Sequence, residues 1–76
     1  REAVTVGQQV AHILKQFTRF SKLQFRRLFA GMHSRSEAVA TFLAVLELSK
    51  KRRIRIIGDA ENPELRLVPP GEEDAD

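Results

Sequence analysis

The segment from Ala38 to Leu48 has the pattern of a helix that is apolar on nearly every side. A surface helix of a small soluble domain normally has one apolar face and one polar face. The first apolar face of this segment consists of Val39, Phe42, Leu43 and Leu46. The second consists of Ala38, Thr41, Val45 and Leu48. A domain with one small core buries one such face well, so we expect the other to bind a partner and interpret the chain first as an interaction module.

The size and composition of the chain exclude several classes of protein. Its 76 residues make one domain, and a domain of this size buries only about 60% of the surface that its unfolded chain exposes. The chain has no cysteine, which excludes disulfides and thiolate metal sites. No apolar run approaches the roughly 20 residues that span a bilayer, so we expect no membrane partner. The absence of an initial methionine indicates a piece of a longer protein.

Charge is distributed unevenly along the chain. The last six residues, 71–76, contain four of the ten acids and none of the 13 bases, although the net charge of the whole is +3. We therefore expect residues 71–76 to be a disordered acidic tail. Residues 1–70 form a basic body that can contact nucleic acid or an acidic protein surface.

Three capping boxes, in which a hydroxyl residue precedes Gln or Glu by three positions, mark three helix starts. They lie at Thr5–Gln8, Ser21–Gln24 and Ser34–Glu37. Apolar residues at helical spacing then predict helices over about 6–18, 22–30 and 35–51. Gly31 stands where a left-handed residue is expected to end the second helix.

After the third helix the apolar period changes from 3.6 to 2. Residues 53–57 alternate base and Ile, residues 65–68 alternate again, and the residues between them are rich in turn formers. This pattern predicts a β-hairpin, and Ala3–Thr5 can add a short N-terminal strand. The order of elements is that of a small α+β winged helix, with three helices and a hairpin wing over residues 1–70.

The third helix and the basic groups each permit two interpretations. Both apolar faces of the helix can lie in the core, between the other helices and the hairpin, or one of them can dock on a protein. The bases can be solvated side chains, or they can contact phosphates or an acidic partner. The candidate contacts are Lys50, Lys51, Arg52, Arg53, Arg26 and Arg27.

Sequence-specific DNA reading and catalysis are both disfavoured. A helix that reads bases presents Arg, Lys, Asn or Gln to the major groove, whereas only Arg35 and Glu37 at the start of this helix could do so. His12 and His33 have no metal-ligand spacing, and no nucleophile or phosphate-binding motif is present. We therefore expect no enzyme activity and no cofactor.

The run Val39–Lys50, with Ile54-Arg55-Ile56 after it, resembles the C-terminal domain of the ScpA family, the bacterial and archaeal kleisins. The family pattern there reads approximately "vTFLAlLELiK" followed by a basic-apolar strand, and Ser34–Glu37 is similar to its lead-in. The resemblance extends from Val4 to Val68 and is distinctive over residues 34–56.

The resemblance implies a winged helix that caps the ATPase head of an SMC protein. The rest of such a kleisin binds a second SMC subunit and a ScpB dimer, and the ring so closed acts in chromosome condensation and segregation. The implied location is cytoplasmic and nucleoid-associated. The resemblance assigns head binding to Phe42 and Leu46, whereas the pattern of faces favours Val45 and Leu48, so all four are candidates. The alternative function is a nucleic-acid-binding winged helix that contacts phosphates.

Overall fold

The computed structural model describes residues 4–69 and residue 71, and it contains two α-helices, one 3-10 helix and three strands. The elements in chain order are α1 (Val6–Gln16), β1 (Lys22–Gln24), the 3-10 helix (Phe25–Phe29), α2 (Arg35–Lys50), β2 (Ile54–Ile57) and β3 (Glu64–Leu67). The expectation of an α+β domain with a C-terminal hairpin is confirmed.

The three strands form one antiparallel sheet in the order β1-β3-β2. One face of this sheet packs on the helices, because Leu23, Leu65 and Ile54 join the buried cluster that α1 and α2 form. The helical part of that cluster is Ile13, Ala44, Val45 and Leu48. The core therefore lies between the sheet and α2, with α1 packed along α2.

The prediction of a helix over residues 22–30 is wrong. Lys22–Gln24 is a strand that pairs with Glu64–Arg66, and a five-residue 3-10 helix follows it. Pairing with β3 buries Leu23 against Leu65 and is continued by the Phe25 amide, which donates to the Pro63 carbonyl at 2.9 Å. Long-range pairing thus overrides the local capping pattern at Ser21–Gln24, because a strand here completes the sheet.

The expected N-terminal strand is also absent among the described residues. Val4 and Thr5 lie in no strand, and Ala3 is outside the described range. Thr5 instead has the extended backbone of a helix N-cap, and its side chain and that of Gln8 form the reciprocal capping box predicted for α1. The third strand of the sheet is therefore supplied by β1, which follows α1.

The predicted N-cap of α2 and the left-handed conformation of Gly31 are confirmed. Ser34 Oγ accepts a hydrogen bond from the Glu37 amide at the start of α2. Gly31 has a φ of 80°, as a left-handed position after the 3-10 helix requires. Of the predicted acidic tail only Gly71 is described, and the acids at 72–76 lie outside the described residues.

Candidate partner-binding surface

The outward face of α2 is apolar and open to solvent. This face, defined by Val39, Phe42, Leu43 and Leu46, is the first of the two apolar faces found in the sequence. The four side chains are exposed by 50%, 47%, 44% and 46% respectively. They recur at intervals of three and four residues, which places them side by side along one face of the helix. A continuous apolar surface of this kind on a small domain is typical of an interaction site.

The opposite face of α2 is buried, and this overturns the assignment that the helical pattern favoured. Val45 is 1% exposed and Leu48 is 2% exposed, so neither is available to a partner in this structure. Phe42 and Leu46, which the pattern placed in the core, are the exposed pair. The reason is steric, since Ala40 and Ala44 lie on the inner side of α2 and small side chains let another helix approach closely.

A buried hydrogen bond between the helices fixes which face of α2 points inward. Gln9 of α1 donates from Nε2 to the Thr41 hydroxyl at 2.7 Å, and that hydroxyl donates to the Glu37 carbonyl at 2.8 Å. Thr41 is 1% exposed and Gln9 is 8% exposed. Rotating α2 to bury Phe42 would break this pair and leave its polar groups unsatisfied.

The outward face has an apolar extension on one side and basic ends. Val39 and Leu43 line a shallow groove of about 450 Å³ together with Val4 and Val6. Arg35 lies one turn before Val39 and Lys50 one turn after Leu46, and both are exposed. The surface is therefore an apolar strip with a positive charge at each end.

The basic residues predicted from the sequence lie in two separate places. Lys50 ends α2, and residues 51–53 form the turn into β2, where Arg52 has a φ of 60°. Arg26 and Arg27 lie in the 3-10 helix, and Arg26 Nε donates to the Glu61 carbonyl at 3.2 Å. All six side chains are exposed. Because Glu61 belongs to the β2–β3 loop, the two groups are at opposite ends of the hairpin.

One ion pair on α2 anchors part of the first basic group. Lys51 Nζ lies 2.9 Å from a carboxylate oxygen of Glu47. The hydrogen bond from Lys51 lowers the pKa of Glu47, and the charges of Lys51 and Lys50 lower it further. Glu47 is therefore ionised at neutral pH and partly neutralises the bases at this end of α2.

A third basic group appears only when the strands are placed in register. Lys22 is opposite Arg66, and Arg66 is opposite Arg55, so one base from each strand forms a row across the sheet. All three are exposed on the side away from the core. Sequence reasoning missed this basic row because Lys22 was placed in a helix and Arg66 was not singled out. The alternation of Leu65-Arg66-Leu67 was the available signal.

The described part of the chain contains no cluster of three or more His, Cys, Asp or Glu residues that could hold a metal ion. Among the described residues, no helix is both long enough and apolar enough to cross a membrane.

Comparison with known proteins finds a relative over almost the whole chain. Segregation and condensation protein A of Myxococcus xanthus (strain DK1622) is 34% identical over 74 residues, which is 95% of this chain. The chain spans only 26% of the length of that relative. No family model and no solved structure matches. The match confirms the resemblance found in the sequence, and it aligns this chain with a C-terminal segment of segregation and condensation protein A.

Proposed function

We propose that this chain is a winged-helix domain that binds the ATPase head of an SMC protein through the outward face of α2. It acts there as the C-terminal domain of a kleisin, in an SMC–ScpA–ScpB complex for chromosome condensation and segregation. The domain is a non-catalytic binding module, and the complex is cytoplasmic and associated with the nucleoid. ScpB reaches it only through other parts of a full-length kleisin.

The winged-helix assignment is supported by the order of the elements. A helix, a short strand, a helical turn, a long helix and a hairpin follow one another, and β1 pairs with the second strand of the hairpin. The 3-10 helix takes the place of the second helix of a winged helix. The long helix α2 then corresponds to the third helix, which in DNA-binding relatives of this fold enters the major groove.

The observation that carries the binding proposal is the exposure of four large apolar side chains on one face of α2. Each of these side chains is close to half exposed. Alanine, which occurs elsewhere in α2, would be sufficient at a solvated helix position. Burial of apolar surface is the main favourable term in protein association. A helix that docks by such a face uses anchors one turn apart, as Phe42 and Leu46 are.

The experiment is a binding measurement between this chain and the cognate SMC head. We expect Phe42→Arg and Leu46→Arg each to weaken binding by at least about 30-fold, because each places a charge in the centre of a buried interface, where single residues contribute 2 kcal/mol or more. The matched control is Phe20→Arg, since Phe20 is 50% exposed and lies outside α2.

Circular dichroism of each variant separates a lost interface from a lost fold. The proposal is contradicted if Phe42→Arg and Leu46→Arg are folded and bind the head as the parent chain does. The proposal is also contradicted if Phe20→Arg weakens binding as much as the two α2 variants do, because the loss of affinity would then not be specific to the outward face of α2.

A nucleic-acid-binding winged helix is the alternative function. The exposed bases at both ends of the hairpin favour contact with phosphates. The outward face of α2 argues against sequence reading, because its central side chains are Val, Phe and Leu and offer no hydrogen bonds to base edges. Any nucleic-acid contact is therefore expected elsewhere on the molecule and without sequence preference.

A further inference from the structure

The basic row of Lys22, Arg66 and Arg55 crosses all three strands of the sheet. Adjacent strands are about 4.8 Å apart, so three like charges lie across roughly 10 Å of the outer sheet face. Like charges directly opposite each other destabilise strand pairing. The row contains two such pairs, Lys22 with Arg66 and Arg66 with Arg55. Three bases side by side on an exposed sheet face form a surface that attracts an anionic partner.

Glu64 is the acid that faces this row. It forms an ion pair with Arg66 and lies 3.9 Å from Lys22 Nζ. The hydrogen bond from Arg66 lowers the pKa of Glu64, so this carboxylate is ionised at neutral pH. The single negative charge of Glu64 does not balance the three bases of the row, so the four residues together keep an excess of positive charge.

The chemistry of the outer face favours a phosphate backbone over an acidic protein. Protein interfaces need an apolar centre, and the paired positions on this side of the sheet are Lys22, Arg66, Arg55, Gln24 and Glu64, with Ile57 at the edge. Duplex DNA presents a regular series of negative charges and is held largely by Lys and Arg contacts to phosphate. Arg also binds phosphate with two parallel hydrogen bonds.

We propose that Lys22, Arg66 and Arg55 form a site for the phosphate backbone of duplex DNA on the outer face of the sheet. The site differs from the groups near Lys50–Arg53 and Arg26–Arg27, and it lies between them. Contact is with phosphate, so it is independent of base sequence.

The DNA site and the proposed head-binding face are on opposite sides of the core. The inner face of the sheet and the inner face of α2 share the buried cluster of Leu23, Leu65, Val45 and Leu48. The outer sheet face and the outward face of α2 therefore point away from each other. One domain can hold an SMC head and DNA at the same time, and each site can be tested without the other.

The test is the affinity of this 76-residue chain for short duplexes of unrelated sequence, measured by fluorescence anisotropy at several salt concentrations. Each phosphate contact contributes about 0.9 to the slope of log affinity against log salt. We expect Arg55→Gln/Arg66→Gln to reduce that slope by about 2 and to weaken binding equally for every duplex. Glu64→Gln should tighten binding, because it removes the negative charge beside the row.

The matched control is Lys15→Gln/Arg35→Gln, which also removes two positive charges, but from exposed positions on α1 and α2. We expect the control to leave the slope within about 0.5 of the parent value. The proposal is overturned if the parent does not bind DNA at low salt, or if the control reduces the slope as much as the row variant. It is also overturned if polyglutamate competes as well as DNA at equal charge, because the site would then be for an acidic protein.

Discussion

Thr41 shows how a single buried hydroxyl contributes to the orientation of a helix. Its Oγ accepts from Gln9 Nε2 and donates to the Glu37 carbonyl, and the residue is fully enclosed. The residue appeared in the sequence as one member of an apolar face. Its role depends on a partner 32 positions away, which no local pattern of the chain reveals.

Replacing Thr41 with Val should lower the free energy of unfolding by about 1–3 kcal/mol. Val keeps the shape but removes the acceptor, so the Gln9 amide is left buried without a partner. Chemical denaturation measures the change. Adding Gln9→Met should recover part of the loss, because it removes the unsatisfied group. An unchanged stability in Thr41→Val would show that this hydrogen bond does not orient α2.

At the scale of the element, α2 shows why an all-apolar helix is ambiguous in sequence. Both faces satisfy the same spacing rule, so periodicity predicts the helix but not its rotation. Two features set the rotation: the small side chains of Ala40 and Ala44 let α1 approach closely, and Thr41 bonds to Gln9 of α1. The resemblance to kleisins assigned binding to Phe42 and Leu46, and of the four candidate residues these are the two that the structure leaves exposed.

The two leucines of α2 provide a matched comparison. Leu48 is 2% exposed and Leu46 is 46% exposed. We expect Leu48→Ala to lower the free energy of unfolding by about 2–5 kcal/mol, as large-to-small substitutions in a core do. Leu46→Ala should change it by less than about 1 kcal/mol. Urea denaturation checks both values, and similar losses for the two would mean that α2 is buried on both faces.

The segment around β1 was less predictable than the helices. Residues 21–24 carry a valid capping pattern, and Leu28 and Phe29 continue an apolar face, so local signals favour a helix. The pairing of Leu23 with Leu65 prevails because β3 otherwise has only β2 beside it. The hairpin and both long helices were predictable because each is encoded by neighbouring residues.

At the scale of the whole molecule, two unlike surfaces lie on opposite sides of one thin core. The outward face of α2 is apolar, and the outer face of the sheet is basic. The sequence predicts the exposed apolar face, because the small core of a 76-residue chain cannot bury every large apolar residue of one helix. The basic row was not, because it brings together residues from positions 22, 55 and 66, which become neighbours only through the register of three strands.

We propose that the outward face of α2 lies against the SMC head. Methyl cross-saturation by NMR tests it most directly, with this chain labelled at Val, Leu and Ile methyl groups and bound to an unlabelled head. We expect strong signal loss at Val39, Leu43 and Leu46 and little at the exposed Ile57 and Leu67 of the sheet. Saturation confined to Ile57 and Leu67, with Leu43 and Leu46 unaffected, would contradict it.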